Sequence, residues 1–221
     1  TVRMQIAMPV AWATTMNNLA LAYSARIRGD RADNLEQALS AYQQALTIRT
    51  QTAMPVDWAT TMNNLALAYT DRVRGVRADN LEQALVAYQQ ALTIRTQTAM
   101  PVDWAASMNN LANAYYFRIR GDRAQNVEDA IAAYQQSLTV ITQAAMPVEW
   151  AQIMSNLANA YYSRVHGDRA ENVEQALVAY QQALAVRTQA TMPVEWAQTT
   201  NNLANAYYSR IRGDRDQNIE N

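Results

Sequence analysis

The sequence predicts an all-α fold: an α-solenoid of stacked antiparallel helix pairs, about five repeats long, with uncapped ends. Three observations carry this expectation. The five prolines (Pro9, Pro55, Pro101, Pro147, Pro193) step by 46 residues, as do the five glycines (Gly29, Gly75, Gly121, Gly167, Gly213) and the five tryptophans (Trp12, Trp58, Trp104, Trp150, Trp196). A fixed period of this size marks a solenoid. Within each period apolar residues recur at three- and four-residue spacing, which is helical, and nothing alternates with the period of a strand.

The period divides the chain into the end of a preceding helix B (residues 1–8), four whole repeats (9–54, 55–100, 101–146, 147–192) and a partial fifth (193–221), all in one array. The first eight residues align with Thr47–Met54, and the tail follows a repeat as far as Asn218-Ile219-Glu220, so the chain reads as a piece of a longer array. Pro9 suits the first position of helix A, where its missing N–H would be unpaired anyway. Asp57, Asp103, Glu149 and Glu195 follow the matching prolines by two residues, where a negative charge favours the helix dipole. Trp12, Met16, Leu19, Tyr23 and Ile27 form one apolar stripe on a helix of about 18 residues. Gly29 is the expected left-handed residue closing that helix, with Arg26 and Arg28 in its last turn. A polar turn runs from Gly29 to Asp33. Asn34 is the expected N-cap of helix B, with Gln37 three residues on. Helix B carries Leu35, Ala38, Leu39, Tyr42, Ala45 and Leu46 on one side and fades near Gln51. One pair cannot bury both stripes alone, so repeats must stack.

Composition narrows the function. There is no Cys, only one His, and all 18 cations are Arg. Thiolate metal sites, disulfides and a cysteine nucleophile are excluded, and His-based metal sites or triads are implausible. No cofactor or metal site is expected. The net charge of −1 speaks against nucleic-acid binding. No apolar run reaches the roughly 18 residues of a membrane span, and no signal peptide is visible, so the expected setting is cytoplasmic.

Leu19-Ala20-x-x-Tyr23 followed by Ala38-x-x-x-Tyr42-x-x-Ala45 resembles the tetratricopeptide repeat, with about six residues added at each turn relative to the 34-residue standard. This long form, with Trp-Ala-x-x-x-Asn-Asn-Leu-Ala and Arg-Ile-Arg-Gly-Asp-Arg-Ala, looks like the arrays found with CHAT (caspase-like) domains in bacteria. The resemblance implies a right-handed solenoid that is a protein-interaction module, with A helices lining a concave groove. It therefore implies a protein or peptide partner, non-catalytic binding, and groove positions at Asn63, Asn109, Asn113, Tyr116, Phe117, Asn159, Tyr162, Asn201, Asn205 and Tyr208.

Two features of these positions invite explanation. Asn-Asn recurs in mid-helix, as Asn17-Asn18, Asn63-Asn64, Asn109-Asn110 and Asn201-Asn202, with Ser155-Asn156 in the fourth repeat. Asn costs roughly 0.5–0.7 kcal/mol against Ala in a helix interior, so something offsets it. One reading is a ladder of amide hydrogen bonds between stacked A helices; the other is capture of a peptide backbone by an amide that both donates and accepts. Next, Leu21 and Leu67 give way to Asn113, Asn159 and Asn205, while Ser24 and Thr70 give way to Tyr116, Tyr162 and Tyr208. At exposed positions a duplicated scaffold has no packing need for such a gradient, and Tyr with Asn suits recognition.

Other signals read as structural. Trp12 and its copies, with Met16, Met62, Met108 and Met154, belong to the core. The recurrent arginines, Arg26 and Arg31 with their copies, are interleaved with acids and read as paired, solvated groups. His166 stands where other repeats have Arg, as at Arg120. The absence of Lys removes the carboxylate clamp that some tetratricopeptide domains use. The alternative to a binding module is a structural spacer, or an array that self-associates end to end through its near-identical repeats. An enzyme built on carboxylates such as Asp71 or Glu149 is the weakest reading, because the sequence places no carboxylate pair.

Overall fold

A computed structural model of the chain describes residues 2–210. The turn and the start of helix B expected for the partial fifth repeat, around Gly213, Arg215 and Asn218, lie outside the described residues. Within them every regular element is α-helical: α1 (Val2–Ala7), α2 (Pro9–Ala25), α3 (Arg31–Leu46), α4 (Pro55–Asp71), α5 (Arg77–Leu92), α6 (Pro101–Phe117), α7 (Arg123–Leu138), α8 (Pro147–Ser163), α9 (Arg169–Leu184) and α10 (Pro193–Tyr208). The chain forms two compact units, residues 1–120 and 121–221. In the N-terminal unit α2 pairs with α3 and α4 with α5, and each pair packs on the next A helix. In the C-terminal unit α8 pairs with α9, α7 packs on α8, and α10 packs on α9.

Small residues set the close approach of the helices. Ala20, Ala38 and Ala45 are fully buried, as are their copies Ala66, Ala84 and Ala91. Tyr42, Tyr88, Tyr134 and Tyr180 are each 1% exposed and fill the space those alanines leave. The tryptophans are only partly buried. They cover the core edge at the start of each A helix rather than filling its centre, which corrects their expected core placement.

The turns differ from expectation in an instructive way. Helix α2 stops at Ala25, with Arg26 extended as its C-cap, three residues before Gly29. Gly29 does adopt a left-handed φ of 84°, but within the loop and not as the helix's closing residue. Ile27 therefore leaves the apolar stripe and is 98% exposed. Helix B begins early, at Arg31. Its N-cap is Asp30, whose carboxylate accepts from the Asp33 N–H at 2.9 Å. Asn34, expected as the cap, lies one turn inside and is 3% exposed. Its amide donates to the Arg28 carbonyl at 3.0 Å and so ties the loop to the helix. Asn80 and Asn172 repeat this bond to Arg74 and His166.

Candidate functional site

The polar groups on and beneath the A helices fall into three sets. The deepest is a buried arginine at each of three B–A junctions, Arg49, Arg95 and Arg187, exposed by 4%, 6% and 3%. Arg49 donates to Thr61 Oγ1 at 3.0 Å and to Thr14 Oγ1 at 3.1 Å, and lies 3.5 Å from the Asp57 carboxylate. Thr61 in turn donates to Asn17 Oδ1 at 3.2 Å. Arg95 repeats the arrangement with Ser107, Thr60 and Asp103, and Ser107 donates to Asn63 Oδ1 at 3.0 Å. Arg187 bonds Thr199 at 2.8 Å and Gln152 at 2.5 Å. Burial lowers the pKa of Arg95 and Arg187, opposed by Asp103 and Glu195 respectively. The guanidinium is thus the hub of a polar lock between successive A helices.

This lock corrects the reading of the first asparagine in each pair. Asn17 and Asn63 are 5% and 9% exposed, and their carbonyl oxygens are taken up by Thr61 and Ser107. Asn63 is therefore a ladder residue and does not face an open groove. Asn109 donates weakly to Asn110 at 3.5 Å, and its Oδ1 is buried without a hydrogen bond. In the fourth repeat the position held elsewhere by Thr61, Ser107 and Thr199 is taken by Ile153. Ile153 accompanies Ile141, which stands where the other junctions have arginine; both are buried, at 3% and 2%.

The second set explains much of the gradient along the chain. The hydroxyl of Tyr180 is buried and donates to Asn159 Oδ1 at 2.6 Å, while Asn202 donates to the same oxygen at 3.1 Å. In the N-terminal unit the equivalent Tyr88 finds Thr70 instead; burial raises its pKa strongly, and the Thr70 hydrogen bond partly offsets that. Leu67 with Thr70 and Asn159 with Tyr162 are two solutions to one problem. Each gives the helix-B tyrosine a partner. Asn159 therefore has a packing role, contrary to the expectation that the exchange had none. Tyr162 is held too. Its hydroxyl lies 2.7 Å from Ser209 Oγ, and the Arg169 guanidinium stacks 4.8 Å from its ring centroid.

The third set is open. In the N-terminal unit a shallow cavity of about 250 Å³ is lined by Leu21, Ser24, Ala25, Tyr42, Asn64, Leu67, Ala68 and Asp71. Leu21 and Leu67 are 43% and 45% exposed. Asp71 sits at its rim, 3.3 Å from Arg31. Further along the same unit Tyr116 packs edge-on against the ring of Phe117, with centroids 5.0 Å apart, and Phe117 is 54% exposed. Asn113 is half-buried. In the C-terminal unit Asn201, Asn205 and Tyr208 are exposed on α10. Leu21, Leu67 and Asp71, which the tetratricopeptide resemblance also turns toward the groove but which were not among the residues expected to bind, line this cavity.

The recurrent arginines of the A helices pair with the B helix of the preceding repeat. Arg72 binds Glu36 through Nε at 2.7 Å and Nη2 at 2.8 Å. Arg118 does the same with Glu82, Arg164 with Glu128 and Arg210 with Glu174. His166 lies 3.8 Å from Glu128, beside Arg164. Each arginine holds its carboxyl partner below the ordinary range at Glu36, Glu82 and Glu128. These charges are committed within the fold. Among the described residues no group of three acidic, His or Cys side chains could hold a metal ion, and no helix is long and apolar enough to cross a membrane.

Residues 12–52 and 104–140 match the tetratricopeptide repeat family. None of the curated proteins matches the sequence. Among solved structures, the crystal structure of BtubC (BKLC) from P. vanneervenii shares the fold with a TM-score of 0.63 at 24% identity, over 96% of this chain and 85% of that one. Two segments of the chain thus match the family, and the described helices form an all-α array of paired, stacked helices consistent with a tetratricopeptide-type solenoid.

Proposed function

We propose that the chain is a non-catalytic scaffold that binds a peptide or partner helix on its A-helix face. One observation carries this. Leu21 and Leu67 stay about half exposed on that face around a cavity, and Phe117 is half exposed further along the same unit, while most of the polar groups beneath them are held by internal hydrogen bonds. Exposed apolar side chains beside a concavity are where protein partners gain affinity. The binding groups of the N-terminal unit are Leu21, Leu67, Asp71, Tyr116 and Phe117, with Asn113 at their edge. Those of the C-terminal unit are Asn201, Asn205 and Tyr208, with Tyr162 held in place beside them. Each unit offers its own subsite, and linked subsites add avidity where one ligand spans them.

The test is peptide selection on the wild-type chain, followed by titration of the enriched peptides. Leu67→Glu is expected to weaken the peptides held by the N-terminal unit at least about tenfold, because it places a charge where an apolar side chain would dock. Tyr208→Ala is expected to weaken those held by the C-terminal unit. Unchanged binding in both variants would show that ligands dock elsewhere.

The long repeat further supports a finer placement, as the scaffold of a cytoplasmic, CHAT-associated bacterial protein. The flanking reading frame checks this: a caspase-like domain is expected there, and its absence removes the placement.

A further inference from the structure

The A-helix face of the N-terminal unit carries two apolar rows, not one. The half-exposed Leu21 and Leu67 stand toward the C-terminal ends of α2 and α4. In the first turns of the same helices stand Val10 and Val56, 52% and 51% exposed. On each helix the valine and the leucine are eleven positions apart. Eleven residues make about three turns, so each pair shares one face at a separation of about 16 Å. The two helices run side by side, since Arg49 bonds Thr14 of α2 and Thr61 of α4. The four aliphatic side chains are therefore the corners of a seat two helices wide, with the cavity over Tyr42 at its leucine end. The seat stops there. On α6 Val102 is still 50% exposed, but Asn113 takes the place of the leucine.

We infer that this seat takes an amphipathic helix of a partner protein, lying along the groove between α2 and α4, with aliphatic residues at i and i+11 and small residues at i+4 and i+7. The inference rests on the A-helix face being the binding face, and it narrows the occupant from a peptide in general to a helix. The strip between the two rows decides the conformation. An extended segment must find acceptors for its own N–H groups along its path, whereas a helix brings them. Those of the strip are engaged within the fold. Thr14 and Thr60 accept from Arg49 and Arg95, and the side-chain carbonyls of Asn17 and Asn63 accept from Thr61 and Ser107. Spacing decides the side chains. Aliphatic residues eleven apart on the partner reproduce the separation of the two rows and meet both at once. Small residues between them let the partner backbone come down onto the strip, as alanines do within this fold.

The probe is a fluorescein-labelled peptide of about 18 residues, built of Ala, Glu and Lys, with two leucines eleven positions apart and alanines at the two small positions. Its anisotropy is titrated with the full chain. Saturable binding is expected, with a gain in peptide helicity by circular dichroism. Moving one leucine by two positions turns it to the far side of the peptide and is expected to weaken binding at least about tenfold. A central proline is expected to do the same. Val56→Glu on the chain separates the readings. It places a negative charge in a first helical turn, where the dipole favours it, so the melting temperature should hold. It also lies about 16 Å from Leu67, beyond the reach of a ligand confined to the cavity. Val56→Glu and Leu67→Glu are each expected to weaken the probe about tenfold. Selected peptides that lose affinity with Leu67→Glu but not with Val56→Glu, or that tolerate a central proline, would leave the face as a binding site and overturn the helix. Peptides indifferent to Leu67→Glu would remove the face and the helix together. Absence of saturable probe binding, or equal binding by the Val56→Glu chain, would also overturn the inference.

Discussion

At the scale of single residues, the informative groups are the buried polar ones. Asn159 gives the Tyr180 hydroxyl an acceptor in a place where Tyr180 is 1% exposed. Asn159→Leu should therefore cost about 2 kcal/mol in chemical unfolding, most of it from a stranded hydroxyl. Adding Tyr162→Thr, which copies the Leu67–Thr70 solution, should make the double variant more stable than Asn159→Leu alone, despite the lost ring. A double variant less stable than the single one would mean that Asn159 and Tyr162 act independently. Repeat comparison of the sequence contained this pairing, because positions 21 and 24 change together from repeat to repeat. It was legible as covariation but not as chemistry. Nothing in the sequence alone shows that the tyrosine hydroxyl of helix B points between those two positions.

At the scale of elements, the helices themselves were readable from proline placement and apolar spacing, and their ends were not. Gly29 and Asn34 carry the residue types of a C-terminal stop and an N-cap, yet both serve the loop: Gly29 by its left-handed φ and Asn34 by holding the Arg28 carbonyl. Asp30 competes for the same cap and wins because it sits directly before the helix. The junctions between elements were also hidden, since an arginine is read as solvent-exposed unless something shows otherwise. The exchange of Arg for Ile141 together with Thr or Ser for Ile153 was the available signal. It sets up a double-mutant cycle at Arg95 and Ser107. Ser107→Ile alone should cost about 3 kcal/mol, since it strands the guanidinium in a buried place. Arg95→Ile with Ser107→Ile should recover most of that, because a well-packed apolar pair replaces a buried ion about evenly. Strictly additive losses would show that the two side chains are not coupled.

For the whole molecule, one ion-pair pattern runs through both units: Glu36–Arg72 and Glu82–Arg118 in the first, Glu128–Arg164 and Glu174–Arg210 in the second. Glu36, Glu82 and Glu128 have pKa values below the ordinary carboxylate range when folded, chiefly through the arginine hydrogen bonds. A depressed carboxylate contributes stability above its unfolded pKa and loses it as pH falls through the folded one. The melting temperature should therefore hold from neutral pH to about 5 and fall steadily below about 4. A chain with Glu36→Gln, Glu82→Gln and Glu128→Gln should melt lower at neutral pH and respond less to acid. An equal acid response in that chain would assign the loss to other carboxylates.

The exchange of a buried guanidinium for a pair of isoleucines also bears on how so repetitive a chain finds one fold. Near-identical helices offer many wrong neighbours, and a slip by one whole repeat keeps almost every apolar contact. Such a slip would set Arg95 or Arg187 against Ile153, or Ile141 against Ser107 or Thr199. Each wrong match buries an unpaired charge or an unmet hydroxyl, at a cost comparable to a large part of a domain's net stability. The odd junction thus acts as a punctuation mark: it lets the folding chain count its repeats and discard misaligned pairings that its apolar surfaces alone would accept.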